Sequence, residues 1–188
     1  NRLLGEEIPD GLSAVRGSLS TLPDDRLMTL ALKALDGCQE AVSRAREVET
    51  ALLGSTLRPM RISEVVERVA ARHDIDFMVQ GDGWVEADEA LDLALENLVE
   101  NAVVHGGTRK IDFIVEERLL TVADHGRGIE DHMKERVFEE GFRGGEGSGL
   151  GLFLVREIME RYGGAVYVED NSPRGAAFRL RFPDFEKG

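Results

Sequence analysis

Asp88-Glu-Ala-Leu-Asp-Leu-Ala-Leu-Glu-Asn97-Leu-Val-Glu-Asn101-Ala-Val-Val-His105 is the stretch from which the rest of the chain is read. At 100° per residue, Leu91, Leu95, Leu98, Val99, Ala102 and Val103 fill one arc. That spacing predicts a helix over 88–105 with the arc buried. Asn97, Asn101 and His105 fall on an adjacent stripe at i, i+4 and i+8. Asparagine is a poor helix-interior residue, so two of them one turn apart beside a buried arc call for a reason. Two readings stay open. The amide oxygens suit a hard cation such as Mg²⁺ while the amide N–H groups suit phosphate, or both side chains are simply solvated.

Outward from this helix, glycine is concentrated in two places. Asp124-His-Gly126-Arg-Gly128-Ile129 follows a strand directly, and Gly144-Gly145-Glu-Gly147-Ser148-Gly149-Leu150-Gly151-Leu152 runs into a helix. Glycines at a helix N-terminus let backbone N–H groups approach an anion, and the helix dipole favours negative charge there. The pattern is neither a P-loop, which needs Gly-Lys-Ser/Thr, nor a dinucleotide fingerprint. A plain glycine-rich loop is the other reading.

The flanking segments read as a helix over 62–72, a strand over 77–80, a strand pair over 111–116 and 119–124, a helix over 148–162, and strands over 165–169 and 177–182. Helices mixed with hairpin-like strands predict an α+β domain, a mixed sheet with helices on one face, spanning 60–188. His73 reads as a surface residue, Trp84 as a packing residue, and His125 and His132 as solvated borders of the glycine loop.

The first part, 1–54, is different. Ile8, Leu12, Val15, Leu19 and Leu22 alternate spacings of 4 and 3. After Pro23-Asp24-Asp25, so do Leu27, Ala31, Ala34, Cys38, Ala41, Ala45, Val48 and Leu52. A 3.5-residue repeat marks a seam facing a partner helix. The segment therefore reads as an antiparallel helical hairpin, and flanking Leu30, Leu35 and Val42 favour a second hairpin completing a dimeric four-helix bundle. Two amphipathic helices packed on the second domain is the alternative. Residues 54–59 read as a linker.

Composition narrows the function. The 188 residues carry a net charge of −13, which argues against nucleic acid and anionic membrane surfaces as partners. A single cysteine, Cys38, excludes an internal disulfide. No run of 18 apolar residues offers a membrane span. The chain is expected to be a cytoplasmic piece of a longer polypeptide, with a membrane anchor elsewhere in the full length left open.

Four segments together resemble sensor histidine kinases. Asn97-Leu-Val-Glu-Asn101-Ala resembles the N box, Asp124-His-Gly-Arg-Gly-Ile129 the G1 box, Val137-Phe138-Glu-Glu-Gly-Phe142-Arg143 the F box, and Gly147-Ser-Gly-Leu-Gly-Leu152 the G2 box, in family order. The resemblance implies a Bergerat-type ATP-binding fold. It implies that Asp124 accepts from the adenine amino group, with Gly126, Gly128 and Ile129 around the base. It further implies that Asn101 holds Mg²⁺, that Asn97 and His105 lie near the phosphates, and that Arg143 reaches a phosphate from a lid carrying Phe142. Gly147, Ser148, Gly149, Leu150, Gly151 and Leu152 would wrap the triphosphate. A carboxylate also suits adenine over guanine, which presents an acceptor at the equivalent position. One departure stands in the last strand, where the family often has Thr and this chain has Ala177.

In such kinases the hairpin carries a phospho-accepting His. Leu12-Ser-Ala-Val-Arg-Gly17 resembles the segment just after it, which places the acceptor at Glu6, followed by the family's acidic residue at Glu7. The chain's four histidines are His73, His105, His125 and His132, none in the hairpin. Three explanations stand side by side: an introduced His→Glu change, a natural pseudokinase, or an acceptor elsewhere. The implied reaction is phosphoryl transfer from ATP to a hairpin His, oriented by Glu7, and on to an Asp of a response-regulator receiver domain. The implied partners are a second copy, that receiver, and an upstream sensor domain. The alternative is a pseudokinase scaffold that binds ATP and docks a receiver without autophosphorylation. A gyrase- or MutL-like clamp fits less well, because those relatives place Glu where Asn97 stands. A serine kinase acting on an anti-sigma antagonist usually lacks a hairpin.

Overall fold

The computed structural model describes residues 12, 13, 15, 17, 26–53, 55–142 and 149–184. Glu6, Glu7, Arg143, Gly147 and Ser148 lie outside the described residues. The chain divides into two compact units, Asn1–Glu49 and Thr50–Gly188.

In the first unit, Leu12, Ser13, Val15 and Gly17 are helical, and helix α1 (Arg26–Leu53) follows. Gln39 Nε2 donates to Ser13 Oγ at 3.4 Å. Of the seam positions of α1, Ala31 and Val48 are half-buried and Cys38 and Ala45 exposed, while flanking Leu35, Gln39, Val42 and Arg46 are half-buried. No helix among the described residues is long and apolar enough to cross a membrane.

The second unit opens with strand β1 (Arg58–Arg61), helix α2 (Ile62–Ala70), strand β2 (Asp76–Gly81), strand β3 (Trp84–Ala87) and helix α3 (Ala90–Glu100). It continues with β4 (Lys110–Glu116), β5 (Leu119–Asp124), helix α4 (Gly151–Arg161), β6 (Ala165–Asp170) and β7 (Ala176–Arg181). The main sheet has the order β2-β4-β5-β7-β6. The β2–β4 pair is parallel and the other three are antiparallel, so the sheet is mixed, as expected. Along β4, Ile111, Phe113 and Val115 are buried and alternate with less covered Asp112 and Ile114, the period of a strand with one face on the core. Helix α3 packs on both α2 and α4, and the three contribute Val65, Val66, Val69, Leu91, Leu95, Leu98, Leu154, Val155 and Ile158, each at 0–1% exposure.

Several expectations change. The linker read at 54–59 gives way to β1 at Arg58, which pairs antiparallel with β3 in a separate two-stranded sheet. Trp84, on β3, is 51% exposed and not a packing residue. The helix read from 148 begins at Gly151, and the helix read from Asp88 begins at Ala90. Asp88 stands before the helix, its Oδ1 accepting from Ala90 N at 3.1 Å, the position where a carboxylate caps orphan N–H groups.

Candidate functional site

Helix α3 brings Asn97 and Asn101 to its C-terminal end with its apolar side sealed. Leu91, Leu95, Leu98, Val99 and Ala102 are buried at 0–1% exposure, as the arc predicts. At Asn101 the α-helix widens into a π turn, Asn101–Gly106, closed by left-handed Gly107. Such turns insert an extra residue and recur at functional sites. The widening leaves Val103 only half-buried and puts His105 short of a full turn beyond Asn101, so the even i, i+4, i+8 stripe does not hold past Asn101.

Both asparagines are half-buried rather than solvated. The Asn97 amide is oriented: Nδ2 donates to Leu93 O at 2.9 Å. Its Oδ1 then faces Gly151, the first residue of α4, where a Cβ would stand 2.6 Å from that oxygen. A Cβ there would have to displace the amide, whereas glycine lets the start of α4 lie on it undisturbed. The Asn101 side chain takes no hydrogen bond from any described residue, so its amide is unspent.

Strand β5 delivers Asp124 to the other end of the same turn. The carboxylate is 3% exposed. Oδ1 accepts from Gly126 N at 2.8 Å and lies against Gly106. Among the described residues, Oδ2 receives no donor. Gly126 also packs on Gly106, whose carbonyl accepts from Arg127 N at 3.0 Å. Gly128 is left-handed and lies against Gly175, and Ile129, which follows it, is half-buried.

The segment between 130 and 150 is anchored at both ends. Phe138 is 5% exposed and meets Phe178 edge-on at 6.2 Å. Half-buried Phe142 lies under the Arg136 guanidinium, 5.3 Å from its ring centre. Gly141 N donates to Gly149 O at 3.2 Å, which ties the middle of the segment to the approach to α4. Leu150 caps α4, its carbonyl accepting from Leu154 N at 2.8 Å, and Leu152 is half-buried in the first turn.

His125 is not a solvated border: its Nε2 lies 2.7 Å from Asp112 Oδ2, a partly buried cross-strand pair. His132 is exposed, 3.3 Å from Glu130. His73 is half-buried.

Sequence reasoning missed two features. One is Asp88, 1% exposed. Arg161, at the far end of α4, grips it with two hydrogen bonds of 2.8 and 2.9 Å. Tyr162 Oη donates at 2.7 Å and Ser55 N at 2.6 Å. Burial alone would raise this carboxyl, but these donors outweigh it and hold the group down at about 2. Burial, and then Asp88, pushes the Tyr162 hydroxyl up. Helices α3 and α4 are thus fixed to each other at the end opposite the asparagines. The other missed feature is the loop 171–175. Its Asn-Ser-Pro-Arg-Gly composition signals a turn but not what the turn holds.

Two carriers of unspent oxygen, Asn101 and Asp124, therefore flank one π turn, and a glycine helix start meets the Asn97 amide beside it. The chain belongs to the histidine kinase-, DNA gyrase B- and HSP90-like ATPase family, whose pattern matches residues 86–186. It is similar to the sensor protein IrlS of Burkholderia pseudomallei, with 35% identity over 144 residues, 70% of this chain and 31% of the relative. It is similar to the ATP-binding domain of PrrB from Mycobacterium tuberculosis, with 28% identity, TM-score 0.60, and coverage of 70% of this chain and 100% of that one. The mycobacterial sensor histidine kinase MprB shows 29% identity and TM-score 0.60 over 68% of this chain and 97% of that one. The chain spans about a third of the length of IrlS. Its second unit is an ATP-binding domain of the sensor histidine kinase type.

Proposed function

We propose that this chain is the kinase core of a two-component sensor: a dimerising hairpin over 1–54 and an ATP-binding catalytic domain over 60–188. The observation that carries it is the meeting of Gly151 with the Asn97 amide beside a π turn whose far end backs Asp124. Asp124 Oδ2 accepts the adenine amino group, with Gly126, Gly128 and Ile129 bordering the base. Asn101 supplies an amide oxygen to Mg²⁺, while Asn97 and His105 stand near the phosphates. Gly147, Ser148, Gly149, Leu150, Gly151 and Leu152 offer backbone N–H groups at the start of α4, where the dipole favours anions. Arg143 brings a cation from the lid that Phe138 and Phe142 anchor. When bound, Mg²⁺ supplies neutralising charge to the departing phosphoryl group.

The acceptor belongs to the hairpin, at the Glu6 position with Glu7 beside it to orient an imidazole and take its proton. A second copy joins through the exposed α1 stripe containing Cys38 and Ala45. A receiver domain takes the phosphoryl group in turn, and an upstream sensor in the full-length protein, of which this piece is the cytoplasmic part, sets the state. The absence of histidine from residues 1–54 favours a second reading, a pseudokinase that binds ATP and signals through its dimer.

Labelled γ-phosphate tests the pair. Glu6→His that gains acid-labile label while the present sequence gains none supports the kinase reading. Glu6→His that stays unlabelled while binding ATP supports the pseudokinase. Failure of both to bind ATP refutes the proposal.

A further inference from the structure

The loop between β6 and β7 reaches across the sheet end to the backbone that carries Asp124. It is folded on itself by Asn171 N donating to Gly175 O at 2.9 Å. The half-buried Asn171 side chain then donates from Nδ2 to Asp124 O at 2.9 Å. The exposed Arg174 donates from Nε to Gly126 O at 2.9 Å. Gly175, at φ +119°, lies so close to the Asp124 carbonyl that a Cβ there would overlap it. The carbonyls on either side of His125 are therefore each held by a side chain from another part of the sequence. The next strand offers only Ala176 and Ala177 here, with no hydroxyl beside the carboxylate.

We infer that Asn171 and Arg174 are positioning residues for purine recognition: they hold the Asp124–Gly126 backbone so that Asp124 Oδ2 points at the purine amino group. The inference rests on the reading of Asp124 given above. A carbonyl held by a donor from outside its own strand cannot rotate freely. Two such points, one at Asp124 and one at Gly126, fix the peptide planes between them. Oδ1 is in turn fixed by Gly126 N, so tilting the Gly126 peptide swings the carboxylate. Neither Asn171 nor Arg174 need touch the nucleotide.

The test measures base preference, which a merely structural role leaves unmoved. Calorimetry on the full chain compares magnesium ADP with magnesium purine riboside diphosphate, which lacks only the amino group. The wild-type chain should prefer ADP by roughly tenfold or more, the worth of one hydrogen bond to a charged group. Asn171→Asp, which replaces the donor by an acceptor facing a carbonyl, and Arg174→Met should each shrink that ratio toward one. Affinity for purine riboside diphosphate should stay as it was. Arg174→Lys, still a donor, should restore most of the preference. If Asn171→Asp does not fold, Arg174→Met at its exposed site carries the test.

Variants that keep the wild-type ratio overturn the inference. So do variants that weaken both nucleotides alike with a lowered melting temperature. A wild-type chain that binds both nucleotides equally overturns the Asp124 reading, and one that binds neither overturns the proposed function; in each case this inference falls with it.

Discussion

Replacing Asp88 with Asn removes the acceptor that joins the N-terminal approach to α3 to the C-terminal end of α4. The carboxylate takes two hydrogen bonds from Arg161, one from Tyr162, one from Ser55 N and one from Ala90 N. An isosteric amide keeps one acceptor oxygen and turns a donor toward Arg161. Breaking one partner of a buried pair costs about 3–5 kcal/mol. The pH dependence follows from the lowered carboxyl. Its value is about 2 in the fold against an ordinary 3.8. At about 1.36 kcal/mol per unit, the charged state contributes about 2 kcal/mol to stability. Because the folded value is depressed, this contribution is complete above the unfolded value and disappears as pH falls through the folded one. About 1 kcal/mol of it is gone by pH 3. Urea unfolding of both proteins followed by far-ultraviolet circular dichroism checks this. The variant should be less stable by about 3–5 kcal/mol at pH 7, and the gap should narrow by about 1 kcal/mol at pH 3. Equal stability at pH 7, or a gap unchanged between the two pH values, refutes the reasoning.

Gly151→Ala places a methyl 2.6 Å from Asn97 Oδ1; it should lower the unfolding free energy by about 1–3 kcal/mol and weaken nucleotide binding, as melting and calorimetry would report. Phe138→Ala empties a site that is 5% exposed and edge-on to Phe178, and denaturant unfolding should show a loss of about 3–5 kcal/mol. Asn101→Ala should leave stability within about 1 kcal/mol, since no described residue bonds to its side chain, while abolishing the gain in nucleotide affinity that added Mg²⁺ brings to the wild-type chain.

The elements legible from sequence are those with a long period. The arc from Leu91 to Ala102 is buried as its spacing requires, and the β4–β5 pair falls within a residue of the expected ends. The sheet β1–β3 was not legible because Arg58-Pro-Met-Arg61 shows no alternation and its partner lies beyond α2. The π turn at Asn101 was not legible because hydrophobic spacing counts residues, whereas the turn changes how far each residue rotates the helix. That is why Val103 left the buried arc. At the site, Gly151 meets Asn97 just before the π turn and Asp124 lies against Gly106 at its end, and each of the three residue types stood out in the sequence. Asp88, Asn171, Arg174 and the pairing of His125 with Asp112 were hidden because each acts through a partner distant in sequence, and single-chain spacing carries no record of such pairings.

The account turns on Asp124 facing a purine amino group, and Asp124→Asn measures that most directly. Gly126 N already occupies Oδ1, so the amide would present N–H donors where Oδ2 accepted. Calorimetry with magnesium ADP and magnesium GDP should show the wild-type chain binding ADP and strongly disfavouring GDP. The variant should lose ADP affinity by at least about tenfold and narrow the margin over GDP. Unchanged ADP affinity in Asp124→Asn, with the margin intact, would contradict the account.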